Sequence, residues 1–271
     1  MADTAAPAAT LWAVADLHVA VKANRALVDA LEPGNPDDWL IVAGDVAERP
    51  ELVLRTLGQL SRRYAQVIWA PGNHELFCRG ADAHVGKDRY RQLVDGCRRL
   101  GILTPEDPYA EFGGVTICPL FTLYDYSWRP QGTTIDEALE MANRSQVIMT
   151  DEFAIKPFVD PVLWCRERLR YTVRRLARVE GPTILVNHWP LIREPLEAVY
   201  YPELSMWAGT RHTQDWATRY AAEHVIYGHL HIPGTTVVDG VPHTEVSLGY
   251  PREWQPREGS RQWPYPVMEV R

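Results

Sequence analysis

The sequence has no long hydrophobic run and no clustered cysteines. Its apolar segments fall short of the roughly 20 residues that cross a membrane. Residues 1–10 are rich in alanine but lack the basic start and apolar core of a signal peptide. The four cysteines are widely spaced and form no CxxC pair, which argues against a zinc ribbon or a disulfide scaffold. We therefore expect a cytoplasmic protein without a membrane span.

Positive charge is also scarce. The chain has 28 lysines and arginines against 35 aspartates and glutamates, which gives a net charge of -7. Because affinity for a phosphate backbone is built from accumulated positive charge, nucleic acid is not an expected partner. The 271 residues are 46% hydrophobic and 23% charged, close to the averages for globular proteins. We expect a disordered tail at residues 1–10 and one domain at residues 11–271.

Short apolar runs alternate with helical patterns along the chain. Buried strands are predicted by the length and β-branched content of residues 11–15, 39–43, 67–70, 183–186 and 225–227. Helices are predicted at residues 50–64, where Pro50 suits the first turn, and at residues 161–179. This alternation indicates an α/β fold. Residues 235–238 and 243–248, separated by Asp239-Gly240, are typical of a hairpin, and the irregular segment 76–160 is expected to be a substrate-facing insertion.

Metal-binding residue types follow five of these runs directly. The groups are Asp16-Leu17-His18, Gly44-Asp45, Gly72-Asn73-His74-Glu75, Asn187-His188 and Gly228-His229-Leu230-His231. Loops at the carboxyl ends of strands form the ligand crevice of an open α/β sheet, so these groups are expected to converge. One such group alone would mean little, whereas five in order predict a metal site. Carboxylate and imidazole together suit manganese, iron or zinc. The remaining histidines, His84, His212, His224 and His243, are interpreted as structural.

The ordered motifs D-x-H, G-D, G-N-H-E, N-H and G-H-x-H resemble the signature of the calcineurin-like metallophosphoesterases. This resemblance implies a four-layer αββα sandwich, in which helices flank two sheets. It also implies a dinuclear centre, with Mn or Fe as the first expectation and Zn as an alternative. The substrate would be a phosphate ester, attacked by a hydroxide that bridges the two ions.

The resemblance also assigns roles to individual residues. One metal ion would be held by Asp16, His18, Asp45 and His231, and the other by Asp45, Asn73, His188 and His229. Asp45 would bridge the two ions, and His74 would act as the general acid that protonates the leaving group. Glu48 occupies a position where some relatives carry an aspartate that holds this histidine. It is interpreted either as orienting His74 or as a surface residue at a helix start.

Similarity beyond the metal motifs points to one subgroup. Residues 39–49, 67–75, 124–126, 165–168, 227–233 and 249–254 are similar to those of actinobacterial phosphopantetheinyl hydrolases. The resemblance implies a phosphodiesterase that removes 4'-phosphopantetheine from acyl carrier protein. The arginines of residues 161–179 would then dock an acidic carrier protein, or else form a solvated helix face.

Three other functions compete with this interpretation. The first is a phosphatase or phosphodiesterase that acts on a small metabolite or nucleotide. The second is a nuclease, in which Tyr124, Tyr126 and Trp128 would stack on bases. Core packing, or a wall of the active-site cleft, explains these three aromatic residues equally well. The third is a noncatalytic scaffold, which would not need the complete motif set present here.

Overall fold

The computed structural model describes residues 8–259 and 262–270. Its first sheet contains β1 (Ala9–Val14), β2 (Trp39–Val42), β3 (Gln66–Trp69) and β10 (Tyr265–Val270), in the order β10-β1-β2-β3. The pairs β1-β2 and β2-β3 are parallel, and β10 lies antiparallel to β1 at the edge.

The second sheet has six strands. They are β4 (Ala110–Phe112), β5 (Val115–Pro119), β6 (Thr183–Val186), β7 (Ala222–Tyr227), β8 (Thr235–Val238) and β9 (Val241–Glu245), in the order β4-β5-β6-β7-β9-β8. The four inner strands are parallel, and the two edge strands pair antiparallel with their neighbours. The five predicted strands correspond to β1, β2, β3, β6 and β7, and the predicted hairpin is β8-β9.

Nine α-helices accompany these sheets in the described residues. They are α1 (Lys22–Asp29), α2 (Pro50–Leu60), α3 (Asn73–Leu76), α4 (Lys87–Arg99), α5 (Ile135–Arg144), α6 (Asp151–Ala154), α7 (Pro161–Leu176), α8 (Trp216–Arg219) and α9 (Pro251–Trp254). Short 3-10 helices lie at Glu194–Ala198, Pro202–Trp207, Arg211–Thr213 and Gln255–Arg257. Both predicted long helices begin as expected and end a few residues early. The Asp160 side chain caps α7 by accepting a hydrogen bond from the Leu163 N–H, and Pro161 follows at its first position.

The parallel strands are buried on both faces, which explains their continuous apolar runs. In β1 and β2, Ala13 and Ile41 face the second sheet and pack in one core with Ile184 and Ile226. The alternate residues, such as Val14, Leu40 and Val42, pack with helix residues in another core. The layers are therefore helix, sheet, sheet and helix, which confirms the predicted αββα sandwich.

Two boundaries differ from the sequence prediction. The segment 76–160 is not one insertion, because α4 packs against α2 and both β4 and β5 belong to the second sheet. Residues 120–160, with α5 and α6, contribute no strand to either sheet. At the other end, β1 already begins at Ala9, inside the expected tail; residues 1–7 of that tail lie outside the described residues. Within the ranges 8–259 and 262–270, no helix has the length and apolar character needed to cross a membrane.

Candidate metal centre

The five motif groups meet at one edge of the sandwich. Each follows the carboxyl end of a parallel strand, with three groups from the first sheet and two from the second. The two sheets come together at this edge, because the Ala15 N–H donates to the Val246 carbonyl and the Leu248 N–H donates to the Ala15 carbonyl, at 3.1 and 2.9 Å. Residues separated by more than 200 positions in the chain thereby share one site.

Asp16, His18 and His231 form a first cluster. The Nε2 atom of His231 lies 3.1 Å from the Oδ1 atom of Asp16 and 3.1 Å from the Nε2 atom of His18. Asp16 is fully buried and His18 nearly so. Their facing donor atoms lie within 4.8 Å of one another, the spacing of a group that can hold one metal ion.

Asn73, His188 and His229 form a second cluster. The Oδ1 atom of Asn73 lies 3.2 Å from both the Nε2 atom of His188 and the Nδ1 atom of His229, and these two nitrogens are 3.2 Å apart. One amide oxygen and two ring nitrogens therefore form a small triangle, which a shared cation would hold together.

Asp45 lies between the two clusters. Its Oδ1 atom is 3.5 Å from the Nε2 atom of His188, and its Oδ2 atom is 3.7 Å from the Nε2 atom of His74. One of its carboxylate oxygens also lies within 4.8 Å of a carboxylate oxygen of Asp16 and of a ring nitrogen of His188. The carboxylate is thus within reach of both halves of the site.

The backbone is strained at five of these residues. The φ angles are positive at Asp16, His18, Asp45, His229 and His231, between 41° and 77°. Each such residue costs on the order of 1 kcal/mol and persists because the surrounding structure enforces it. Gly72 allows the Asp45 carboxylate to lie close to the backbone at residue 72. No other residue would permit this approach, since a Cβ there would lie 2.1 Å from the Asp45 Oδ1 atom.

Glu75 holds two of the loops together. Its buried carboxylate accepts hydrogen bonds from the backbone N–H groups of Asp45, Val46 and Gly72, at 2.9, 2.6 and 2.7 Å. Burial raises the pKa of Glu75 to about 7, although these N–H groups favour the ionised form. The final residue of the G-N-H-E motif therefore has a structural role that the sequence did not reveal.

The outer hydrogen bonds of the proposed ligands point their lone pairs inward. The Nδ1–H of His188 donates to the Ala43 carbonyl at 2.8 Å, which leaves Nε2 with its lone pair toward the triangle. The Nδ1 atom of His231 bonds to Glu253 at 2.8 Å, and the Nδ2 atom of Asn73 donates to Asp151 at 3.1 Å. Outer partners of this kind fix the tautomer and orientation of metal ligands. The residues present therefore fit a metal centre with nitrogen and oxygen donors.

The electrostatics favour the same conclusion. Burial, Glu75 and Asp16 raise the pKa of Asp45 well above its usual value. Burial alone would lower the pKa of His231, but Asp16 and Glu253 raise it to about 10. Crowded carboxylates at the centre of a buried site are stabilised by cations, which would displace these protons.

His74 and Glu48 lie at the outer side of the cluster. The His74 side chain is 20% exposed, and its Nδ1 atom lies 3.9 Å from the Oε1 atom of Glu48. That separation is too long for a hydrogen bond and becomes an ion pair only when the imidazole is protonated. The other Glu48 oxygen is 3.4 Å from the Arg79 guanidinium. Burial and the neighbouring His18 and His188 lower the pKa of His74 well below its usual value.

Three side chains that support the proposed ligands could not be identified from the sequence. Tyr250 stacks on the His18 ring at 4.5 Å between centroids, and Glu253 holds His231. Both belong to residues 249–254, whose similarity to a subgroup does not indicate either contact. The third, Asp151, lies within the segment 76–160 and carried no local signal.

The remaining sequence candidates are not among the residues that form the two clusters. Tyr124, Tyr126 and Trp128 are buried and cannot stack on bases at the surface. Among the other histidines, His84 and His212 are exposed, whereas His224 and His243 lie on β7 and β9.

The fold and the donor set of this site are those of a metal-dependent phosphoesterase. The model of the calcineurin-like phosphoesterase family matches residues 9–233, which carry all five motif groups. The chain belongs to this family, as the motif order predicted. It is therefore a metal-dependent phosphoric ester hydrolase, in a family that uses a dinuclear metal centre.

One curated relative and its crystal structure resemble nearly the whole chain. The chain is 48% identical over 267 residues to the acyl-carrier-protein phosphodiesterase PptH of Mycobacterium tuberculosis, covering 94% of this chain and 82% of PptH. The crystal structure of phosphopantetheinyl hydrolase (PptH) from the same organism superposes with a TM-score of 0.91 and 46% identity, covering 97% of each chain.

Proposed function

We propose that this enzyme is a phosphodiesterase that removes 4'-phosphopantetheine from acyl carrier protein. The observation that carries this proposal is the likeness to PptH over nearly the entire chain. The likeness extends beyond the metal motifs into the segments that surround them. Such segments vary most between enzymes that share only a fold.

The proposed ligands of one metal ion are Asp16, His18, Asp45 and His231, and those of the other are Asp45, Asn73, His188 and His229. The mixed nitrogen and oxygen donors support manganese, iron or both, with zinc as the alternative. When bound, the two ions would lower the pKa of a water molecule and offset the charge that develops on the phosphoryl oxygens. Asp45, between the clusters, would bridge the ions.

His74 is proposed as the general acid. A serine alkoxide is a poor leaving group, so its departure needs a proton at the oxygen that leaves phosphorus. His74 lies beside Asp45 at the more exposed side of the cluster, which supports this role. Glu48 would act through His74, by holding the imidazole and favouring its protonated form. Accordingly, Glu48→Gln would lower kcat and shift the alkaline limb of its pH profile to lower pH while leaving metal content intact.

Small phosphodiesters and phosphomonoesters remain the alternative substrates, because the same site chemistry would serve them. A nuclease is disfavoured, since its expected stacking residues are buried and the net charge is negative.

The test uses enzyme loaded with Mn²⁺ and purified holo acyl carrier protein, whose product is weighed by intact mass spectrometry. The expected result is loss of the phosphopantetheine mass, and the Asp45→Asn variant serves as the inactive control. An unchanged mass, under conditions where a generic phosphodiester is hydrolysed, would reject the carrier-protein substrate and leave the phosphoesterase class standing.

A further inference from the structure

Two carboxylates outside the proposed ligand set each hold one ligand from behind. Asp151 belongs to α6, and Glu253 belongs to α9 near the end of the described chain. We propose that Asp151 and Glu253 are positioning residues, and that each sets the orientation of a ligand in a different half of the dinuclear centre. This inference rests on the ligand assignment of the proposed function.

Asp151 holds Asn73 in the second cluster. The Asp151 side chain is fully buried, and its Oδ2 atom accepts the hydrogen bond from the Asn73 Nδ2 atom at 3.1 Å. Because the amide has one oxygen end and one NH₂ end, this bond turns Oδ1 toward His188 and His229. The reversed amide would face the cluster with two N–H donors and could not bind a cation.

The helix that carries Asp151 is anchored independently of the cluster. The next residue, Glu152, accepts hydrogen bonds from the Tyr126 hydroxyl at 2.6 Å and from the Trp207 indole at 2.8 Å. The Cys78 N–H also donates to the Ala154 carbonyl at 2.8 Å. The Asp151 carboxylate is therefore held in place by the surrounding fold before any ion binds, as positioning requires.

Glu253 plays the corresponding part in the first cluster. Its Oε2 atom accepts hydrogen bonds from the Nδ1 atom of His231 and from the backbone N–H of Tyr250, both at 2.8 Å. Protonation of Nδ1 leaves the lone pair on Nε2, which faces Asp16 at 3.1 Å. Gly249 permits this arrangement, since a Cβ there would lie 2.6 Å from the Glu253 Oε2 atom.

The two contacts share one physical principle. An ionised carboxylate only accepts hydrogen bonds, so its partner must present a donor to it. An amide of the same shape both accepts and donates, and therefore satisfies the wrong orientation equally well. Asp151→Asn would allow the Asn73 amide to turn over, and Glu253→Gln would allow the other His231 tautomer. Each change would also remove the negative charge of an ionised carboxylate near one ion. Because burial raises the pKa of Asp151 to about 7, binding is measured above that pH.

The experiment measures Mn²⁺ binding to the full-length variants by calorimetry and by metal analysis after dialysis. We expect Asp151→Asn and Glu253→Gln each to weaken one of the two Mn²⁺ sites by about tenfold, within the range for outer partners of ligands. To identify the site, each change is repeated in His188→Ala, which keeps only the first site, and in His231→Ala, which keeps only the second. Asp151→Asn should weaken binding of the ion that remains in His231→Ala. Glu253→Gln should weaken binding of the ion that remains in His188→Ala.

Asp38→Asn is the matched control. Asp38 is also a buried carboxylate, which accepts hydrogen bonds from the Thr10 N–H and the Trp12 indole at 2.7 and 2.9 Å. It lies at the amino ends of β1 and β2, away from the cluster. We expect this variant to melt at a lower temperature and to bind two Mn²⁺ ions with unchanged affinity. A thermal unfolding transition measured in the presence of chelator verifies that every variant is folded. We expect folded variants, because the exchanged side chains have nearly identical shapes.

Two results would overturn the inference. The first is an unchanged Mn²⁺ affinity in folded Asp151→Asn and Glu253→Gln. The second is that either change weakens Mn²⁺ binding equally in His188→Ala and in His231→Ala. If instead His188→Ala and His231→Ala each still bind two ions, the ligand assignment itself fails. The inference and the proposed function are thus separated by the same measurements.

Discussion

At the scale of single residues, the Asp45 carboxylate is the group whose charge affects both clusters. It is buried between His188 and His74, and burial beside Glu75 and Asp16 makes its negative charge unfavourable without cations. A proposed ligand in this position is sensitive to the loss of one charge.

Asp45→Asn should therefore weaken the binding of both metal ions and lower turnover by more than about a hundredfold. Metal analysis and hydrolysis of a generic phosphodiester measure the two effects. Near-normal metal content together with near-normal turnover would contradict the bridging assignment.

His74 is expected to affect chemistry without affecting the metals. His74→Ala should retain both ions. It should slow the hydrolysis of esters with poor leaving groups by about a hundredfold or more, because the departing oxygen lacks a proton donor. Nitrophenyl esters, whose leaving groups need little protonation, should lose much less. An equal loss for both substrate types would assign His74 another role.

At the scale of elements, α7 presents two different faces. Arg168 is buried, pairs with Glu106 at 2.7 Å and donates to the Phe121 carbonyl, whereas Arg166, Arg170 and Arg174 form an exposed stripe at a spacing of four. In the part of the chain that the structure describes, these three arginines make no ion pair. The arginine-rich pattern thus combines a structural residue with an exposed basic stripe.

If this stripe docks an acidic carrier protein, Arg170→Glu should raise the KM for holo carrier protein by about three- to tenfold at low salt. The rate on a generic phosphodiester should not change. Arg55→Glu, the same charge reversal on the exposed side of α2, is the matched control. Equal KM changes in the two variants would indicate a nonspecific charge effect.

Strand β9 carries a buried histidine that should make stability depend on pH. His243 is buried, and among the described residues neither of its ring nitrogens has a hydrogen-bond partner; burial lowers its pKa to about 4. The unfolded chain binds a proton below about pH 6.5, whereas the folded protein does not. Stability should therefore fall as the pH drops from about 6.5 to 4.

The expected loss from His243 is about 3 kcal/mol at pH 4. His243→Leu should reduce this loss in denaturant titrations at pH 7 and pH 4, while His224, whose pKa burial also lowers to about 4, retains its own share. Identical pH dependence in the variant and the parent protein would show that His243 does not titrate as expected.

At the scale of the whole molecule, the centre joins two sheets. Its proposed ligands follow three strands of the first sheet and two of the second, so bound ions would stabilise the folded state against separation of the layers. Only the folded state brings these donors together, and binding free energy is then added to stability.

Chelation should consequently lower Tm by roughly 5–10 °C, because ligand at about 100 times its Kd contributes about 2.7 kcal/mol. Differential scanning calorimetry with and without chelator measures the shift. Asp45→Asn, if it binds the ions weakly, should show little response to chelator. A large shift in both proteins would point to ions bound elsewhere.

Much of this organisation could be predicted from local sequence patterns. Strands buried on both faces are encoded by continuous apolar runs, and the ligand types directly follow these runs in the sequence. Five strand ends and the order of the motifs could therefore be predicted. The strand β5 could not be predicted from the sequence, because it follows the turn signal Gly113-Gly114 and ends at Pro119. Helix ends were predicted only within a few residues, since tertiary packing decides where the last turn stops.

The tertiary structure alone decided which side chains support the site. Asp151 lies 78 residues from Asn73, and Glu253 lies 22 residues from His231, and no local periodicity relates side chains across such separations. It also decided that Tyr124, Tyr126 and Trp128 are buried, and that part of residues 76–160 contributes strands to the second sheet. The amino-acid sequence by itself determined the ligand types and their place behind the strands, because these are local properties of the chain. The partners behind the ligands depend on how two sheets and a connecting segment pack, which is a property of the folded molecule.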